Sequence, residues 1–117
     1  MAYDLHFAAR IRQALHGKPI AEKGIIGGIG FMLNGNLVCG IYRDDLILRV
    51  AADDLKTLLT KPGAKPFEMR GKTAKGWLLV GSEHIKTDAA LKRWVGVALA
   101  YAESLPPKAE KKSKARK

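Results

Sequence analysis

Apolar positions recur along this chain with two different periods, and the changes of period divide it into elements. Phe7, Ile11, Ala14 and Leu15 follow the i, i+4, i+7, i+8 spacing of one helix face. Asp4 stands where an N-cap belongs, and Gly17 followed by Pro19 closes the run. Lys18 to Gly24 shows no apolar period and reads as a connection. From Gly27 to Val50 the period shortens to that of strands. Asn34-Gly35 lies between two apolar runs, the strongest short-range hairpin signal, because both central residues of a type I′ turn need φ > 0. A second turn at Arg43-Asp44-Asp45 precedes Leu46-Ile47-Leu48-Arg49-Val50. The stretch therefore predicts a three-stranded antiparallel meander in which Met32 faces Leu37, Phe31 faces Val38 and Gly30 faces Cys39.

Beyond Val50 the helical period returns briefly. Asp53 and Asp54 suit a helix start, Leu55, Leu58 and Leu59 share a face, and Lys61-Pro62-Gly63 stops the run. Pro66 to Arg70 and Trp77 to Val80 read as two more strands around a turn rich in Lys and Gly. Thr87 or Asp88 then caps the longest helix, whose stripe is Leu91, Trp94, Val95, Ala98, Leu99 and Ala102. Pro106-Pro107 ends it. The predicted order is helix, three strands, helix, two strands, helix. This is an α+β two-layer sandwich with a mostly antiparallel five-stranded sheet and helices on one face. Its boundaries are residues 1–105, followed by a basic tail without fold at 106–117.

Glycines complicate the first strand. Gly28 and Gly30 leave one of its faces nearly bare, and a helix packed against that face is the expected reason, with a ligand-contacting surface as the alternative. A phosphate-binding reading fails on spacing. After Gly28-Ile29-Gly30 the sixth position of a dinucleotide fingerprint is Leu33, and Gly30 to Gly35 is followed by Asn36-Leu37 rather than Lys and Ser or Thr.

Charge adds the next constraint. The 117 residues carry a formal net charge of +10. Half of that excess lies in the tail, where Lys108, Lys111, Lys112, Lys114, Arg116 and Lys117 face Glu110 alone. A second cluster, Lys61, Lys65, Arg70, Lys72 and Lys75, surrounds the later strands, interleaved with Phe67 and Trp77. Cations for phosphates and rings for stacking make a candidate nucleic-acid surface. The strand-like spacing of the rings points instead to burial, and the lysines to a solvated sheet edge.

Catalytic signals are sparse. Cys39, the single cysteine, has no ligand-spaced Cys or His partner and reads as a small buried apolar residue in a reducing compartment. His6 and His16 lie near opposite ends of the first helix, and His84 stands without a triad partner. Asp44-Asp45 and Asp53-Asp54 read as turn and cap chemistry. The expectation is a non-enzyme with no metal and no cofactor; Cys39, His84 and Asp45 are the groups a catalytic alternative would use. Without an apolar run of spanning length or a leader pattern, the chain reads as a cytoplasmic, bacterial protein, monomer or homodimer, with no membrane association.

Specific strings also carry a resemblance. Gly27-Gly28-Ile29-Gly30-Phe31-Met32-Leu33-Asn34-Gly35-Asn36, Cys39-Gly40, Asp45-Leu46-Ile47-Leu48-Arg49-Val50, Lys65-Pro66-Phe67, Lys75-Gly76-Trp77 and the helix from Asp88 to Ala102 resemble the TfoX/Sxy N-terminal domain family, from Tyr3 to Leu105. Ile25-Ile26 stand where that family usually has Met-Phe, and a basic tail stands where longer members carry a second helical domain. The resemblance implies a single-domain member of a family named for regulators of natural transformation competence, which act with transcription factors. It brings no catalytic residues. The expected function is a regulatory adaptor acting through a protein partner in transcription-related control. Salt-sensitive nucleic-acid binding is the alternative, and an enzyme the third reading.

Overall fold

The computed structural model describes residues 3–25, 27–69 and 71–106. The first helix, α1 (Leu5–Ala14), starts where Asp4 accepts hydrogen bonds from the backbone amides of His6 and Phe7, so two of the free donors of the first turn are satisfied. Four strands follow: β1 (Ile20–Ile25), β2 (Gly28–Leu33), β3 (Asn36–Tyr42) and β4 (Asp45–Arg49). A 3₁₀ turn (Ala52–Asp54) leads into the single-turn α2 (Leu55–Leu58), and Asp54 makes no capping hydrogen bond. Strands β5 (Ala64–Met69) and β6 (Lys72–Val80) and a second 3₁₀ turn (Ser82–His84) precede α3 (Asp88–Ser104). Thr87 caps α3 by accepting from the amide of Ala90 at 3.1 Å.

The six strands form one antiparallel sheet in the order β1-β2-β3-β4-β6-β5. The α+β class stands, but the five-strand count does not. The segment read as a connection is β1, an edge strand in which Ala21, Glu22, Lys23 and Gly24 are all exposed. With its four central positions all exposed it carries no alternation to detect.

The meander register is also corrected. Met32 faces Leu37 as expected, but Phe31 faces Cys39 and Gly30 faces Gly40. Val38 is the extra residue of a β-bulge, which turns successive side chains toward one side; Val38 and Cys39 are both fully buried. The Asn34-Gly35 turn has the expected conformation, with φ of 52° and 84°.

One face of the sheet builds the core. Ile29, Phe31, Cys39, Ile41, Leu46, Leu48, Leu78 and Val80 pack with Phe7 and Ile11 of α1, Leu55 and Leu58 of α2, and Leu91, Trp94, Val95, Ala98 and Ala102 of α3. Leu99, expected in that stripe, is half-buried at its margin. Phe31 has no exposed surface, and truncating it to Ala is expected to cost about 3–5 kcal/mol.

The glycines belong to the opposite face, and the expected helix does not cover them. A Cβ on Gly40 would stand 2.3 Å from the carbonyl oxygen of Ile29, and one on Gly30 would stand 2.7 Å from Leu37 Cδ1. The space is taken by the neighbouring strand and its side chains, so the glycines allow adjacent strands of a coiled sheet to approach closely.

Candidate interaction surface

The face turned away from the core carries its own aromatic cluster. Tyr42 and Trp77 alternate with the core residues Ile41 and Leu78, and so project to the other side. Phe67 comes from β5, three strands from β3 in the sheet order. Strand spacing alone would separate them by about 14 Å, yet the Tyr42 and Phe67 ring centroids lie 5.1 Å apart at 81°, and Phe67 to Trp77 is 6.5 Å at 57°. Sheet coiling and long side chains together close that gap. Edge-to-face rings at this separation attract through their quadrupoles. Phe67 and the nearby Ile47 are buried outside the main core, while Tyr42, Trp77 and Leu79 stay half-exposed.

Arg43 borders this cluster. Its guanidinium lies 5.2 Å from the Tyr42 ring centroid, within cation–π range. Its backbone φ is +59°, a left-handed conformation uncommon outside Gly and Asn. The amide of Arg43 donates to the carbonyl of Gly27 at 2.7 Å, which holds the turn against the β1–β2 link. The turn at Arg43-Asp44-Asp45 is legible in the sequence, but no residue type there signals the left-handed position or a role for Arg43.

The basic cluster is not gathered on this face: Lys61 lies beside α3 with His84, Ala90, Arg93 and Trp94. Lys61, Lys72 and Lys75 are exposed. Lys65 donates to Asp45 at 2.9 Å, and that bond, with Glu83 adding to it, raises its pKa above the ordinary lysine value. Arg70 and the tail residues Lys108, Lys111, Lys112, Lys114, Arg116 and Lys117 lie outside the described residues.

Cys39, Asp45 and His84, the groups a catalytic alternative would use, are not brought together among the described residues. Cys39 is fully buried, and desolvation pushes its thiol up to about 12, far from the thiolate a nucleophile requires. Asp45 is engaged by Lys65. The exposed His84 lies 3.8 Å from Glu83. No hydrogen bond or ion pair joins Cys39, Asp45 and His84 among the described residues. Within those residues, no group of three His, Cys, Asp or Glu side chains is placed to hold a metal, and no helix is long and apolar enough to cross a membrane.

The family model of the TfoX N-terminal domain matches residues 13–102. The chain belongs to that family. The TfoX N-terminal match begins in the last turn of α1 and ends inside α3, so it spans all six strands and the whole aromatic cluster. Comparisons with curated proteins and with solved structures returned no match.

Proposed function

We propose that this TfoX N-terminal domain is a non-catalytic regulatory adaptor, acting in the cytoplasm through a protein partner in transcription-related control of the competence type. The proposed unit is residues 1–105, as a monomer or homodimer, followed at 106–117 by six basic residues against one acidic. The observation that carries this reading is the Tyr42–Phe67–Trp77 cluster with Arg43 stacked on it. Half-exposed aromatic rings beside an arginine are the composition of protein-binding hot spots. Family membership supports the regulatory setting.

The test is affinity capture with full-length chain, with chain lacking 107–117 so that the Asn36–Pro106 hydrogen bond is kept, and with Trp77→Ser, each with and without nuclease. The adaptor reading expects a partner that survives nuclease and is lost with Trp77→Ser. Multiple turnover on a small molecule, abolished by a point substitution, would overturn it. The exposed Lys61, Lys72 and Lys75 support the second reading, a nucleic-acid binder. That reading expects capture to vanish with nuclease and to weaken steeply with salt.

A further inference from the structure

Helix α3 carries a second apolar stripe that the core covers only in part: Trp94 lies in the core cluster and Val97 packs against its margin. The second runs Ala90, Trp94, Val97, Tyr101, the i, i+4, i+7, i+11 spacing of a single flank. Trp94 belongs to both stripes; Ala90, Val97 and Tyr101 are half-buried. The flank is about 16 Å long at helical rise. A groove opens along its first part, with Ala90, Trp94 and Val97 as its apolar wall and Lys61, His84 and Arg93 as its polar groups. None of the described residues lining it is acidic. One helical turn further, the Arg49 guanidinium lies 6.0 Å from the Tyr101 ring centroid.

The groove is held in shape by backbone. The amide of Gly81 donates to the carbonyl of Gly63 at 3.1 Å, and the amide of His84 donates to the carbonyl of Gly81 at 3.0 Å. A Cβ on Gly63 would fall 2.4 Å from the His84 ring, so the imidazole occupies the space a side chain at position 63 would need. Glu83, 3.8 Å from His84, is the carboxylate beside it.

We propose that this groove docks an acidic amphipathic helix of a partner protein, with apolar side chains against Ala90, Trp94 and Val97 and carboxylates toward Lys61 and Arg93. An apolar wall with cations beside it matches the helix-in-groove mode of recognition, where apolar anchors supply affinity and charge supplies orientation and encounter rate. The other occupants fit less well. Trp94 is only 9% exposed, too little surface for a base to stack on. The chain's own tail is basic and is repelled by the groove. A second copy has no acidic run longer than Asp44-Asp45 or Asp53-Asp54 to offer. This surface goes beyond the adaptor reading and lies apart from the Tyr42–Phe67–Trp77 cluster.

The experiment uses the full chain and a fluorescein-labelled acidic peptide of about four helical turns, with Leu at i, i+3, i+4 and i+7 and Glu elsewhere. A scrambled peptide of the same composition and a single-stranded oligonucleotide of equal charge serve as competitors. The proposal expects salt-sensitive binding that weakens roughly tenfold or more in Lys61→Glu/Arg93→Glu and stays near wild type in Lys72→Glu/Lys75→Glu. Titration of wild-type protein should move the indole N–H resonance of Trp94 and leave that of Trp77 in place, a readout independent of any variant's folding. Equal binding of the scrambled peptide, equal loss in both charge-reversal variants, displacement by the oligonucleotide, a still Trp94 resonance or no binding at low salt would each overturn it. If the peptide fails while nuclease-resistant capture still depends on Trp77, the groove assignment falls and the adaptor reading stands. If capture fails but the peptide binds through Trp94, the reverse holds.

Discussion

The side-chain amide nitrogen of Asn36 donates a 3.0 Å hydrogen bond to the carbonyl oxygen of Pro106, tying the β2–β3 turn to the chain just past α3. Asn36 is the one buried polar residue among those described, 6% exposed, and a buried amide without a partner is costly. Asn36→Ala is expected to destabilise the fold by about 1–2 kcal/mol in urea unfolding. Asn36→Asp should cost more at neutral pH, because a carboxylate there cannot donate. Burial raises the folded pKa of such an Asp above its unfolded value, so its deficit shrinks as pH falls and the protonated group regains a donor. A variant whose stability deficit is the same at pH 7 and near pH 4 would contradict this role.

Two glycine substitutions should move stability in opposite directions. In Gly40→Ala the new methyl meets the Ile29 carbonyl oxygen at 2.3 Å, and a backbone atom in a paired strand cannot step aside. The expected loss is about 3 kcal/mol or more. In Gly96→Ala nothing lies within 4 Å of the new carbon, and the site is exposed in the interior of α3. A gain of about 0.5–1 kcal/mol follows from helix propensity. Thermal unfolding of the pair gives a sign test that needs no absolute energies.

The thiol of Cys39 should behave as part of the core. Ellman's reagent is expected to label it only at the rate of global opening, and at once in denaturant. Its folded pKa is raised by burial from 9.0 to about 12. The stability linked to the neutral thiol is therefore complete below the unfolded value and declines as pH rises from about 9 toward 12. Cys39→Ala should lose this alkaline component, so the difference between the two proteins' pH profiles isolates it. Rapid labelling of native protein at pH 8 would show the site to be open.

How much of this was legible in the sequence differs by element. The Asn34-Gly35 turn, the Asp4 and Thr87 caps and the Leu91 to Ala102 stripe were readable because their signals are local: a dihedral demand, an orphan donor, a period. Strand β1 was not, since an edge strand exposed on four of six positions has no pattern to show. The bulge at Val38 left a continuous apolar run that looks the same with or without an extra residue. The spacing of Phe67 and Trp77 correctly marked them as strand residues, but alternation says only that two faces exist. Sheet coiling then decided that these rings meet Tyr42 away from the main core. Asn36 and Arg43 owe their roles to partners distant in sequence or to a backbone conformation, and neither leaves a trace in composition.

The ion pair between Arg12 and Glu22 gives a pH effect of known sign. The guanidinium donates to both carboxylate oxygens, from Nη2 at 2.9 Å. This bond holds the Glu22 pKa below the ordinary carboxylate value against an opposing desolvation effect. A depressed folded pKa contributes stability that is present above the unfolded value and lost as pH falls through the folded one. Both partners are solvent-accessible, so screening keeps the contribution small. Carbon-detected titration of Glu22 should report a lowered pKa that returns toward the ordinary value in Arg12→Ala and at high salt.

Arg43 should separate stability from binding. At φ +59° a glycine relieves the left-handed strain, so Arg43→Gly is expected to hold or raise stability, by up to about 1 kcal/mol. The same change removes the guanidinium from over the Tyr42 ring and with it an arginine from the edge of the aromatic cluster. Partner capture should therefore weaken while the melting temperature does not fall. Arg43→Lys keeps charge and backbone strain but loses the planar group that stacks, and should fall between the two in binding. Strain retained at an exposed turn residue is explained if the side chain is needed for contact. It has no such explanation if Arg43→Gly binds as wild type, and that result would remove the turn from the interaction surface.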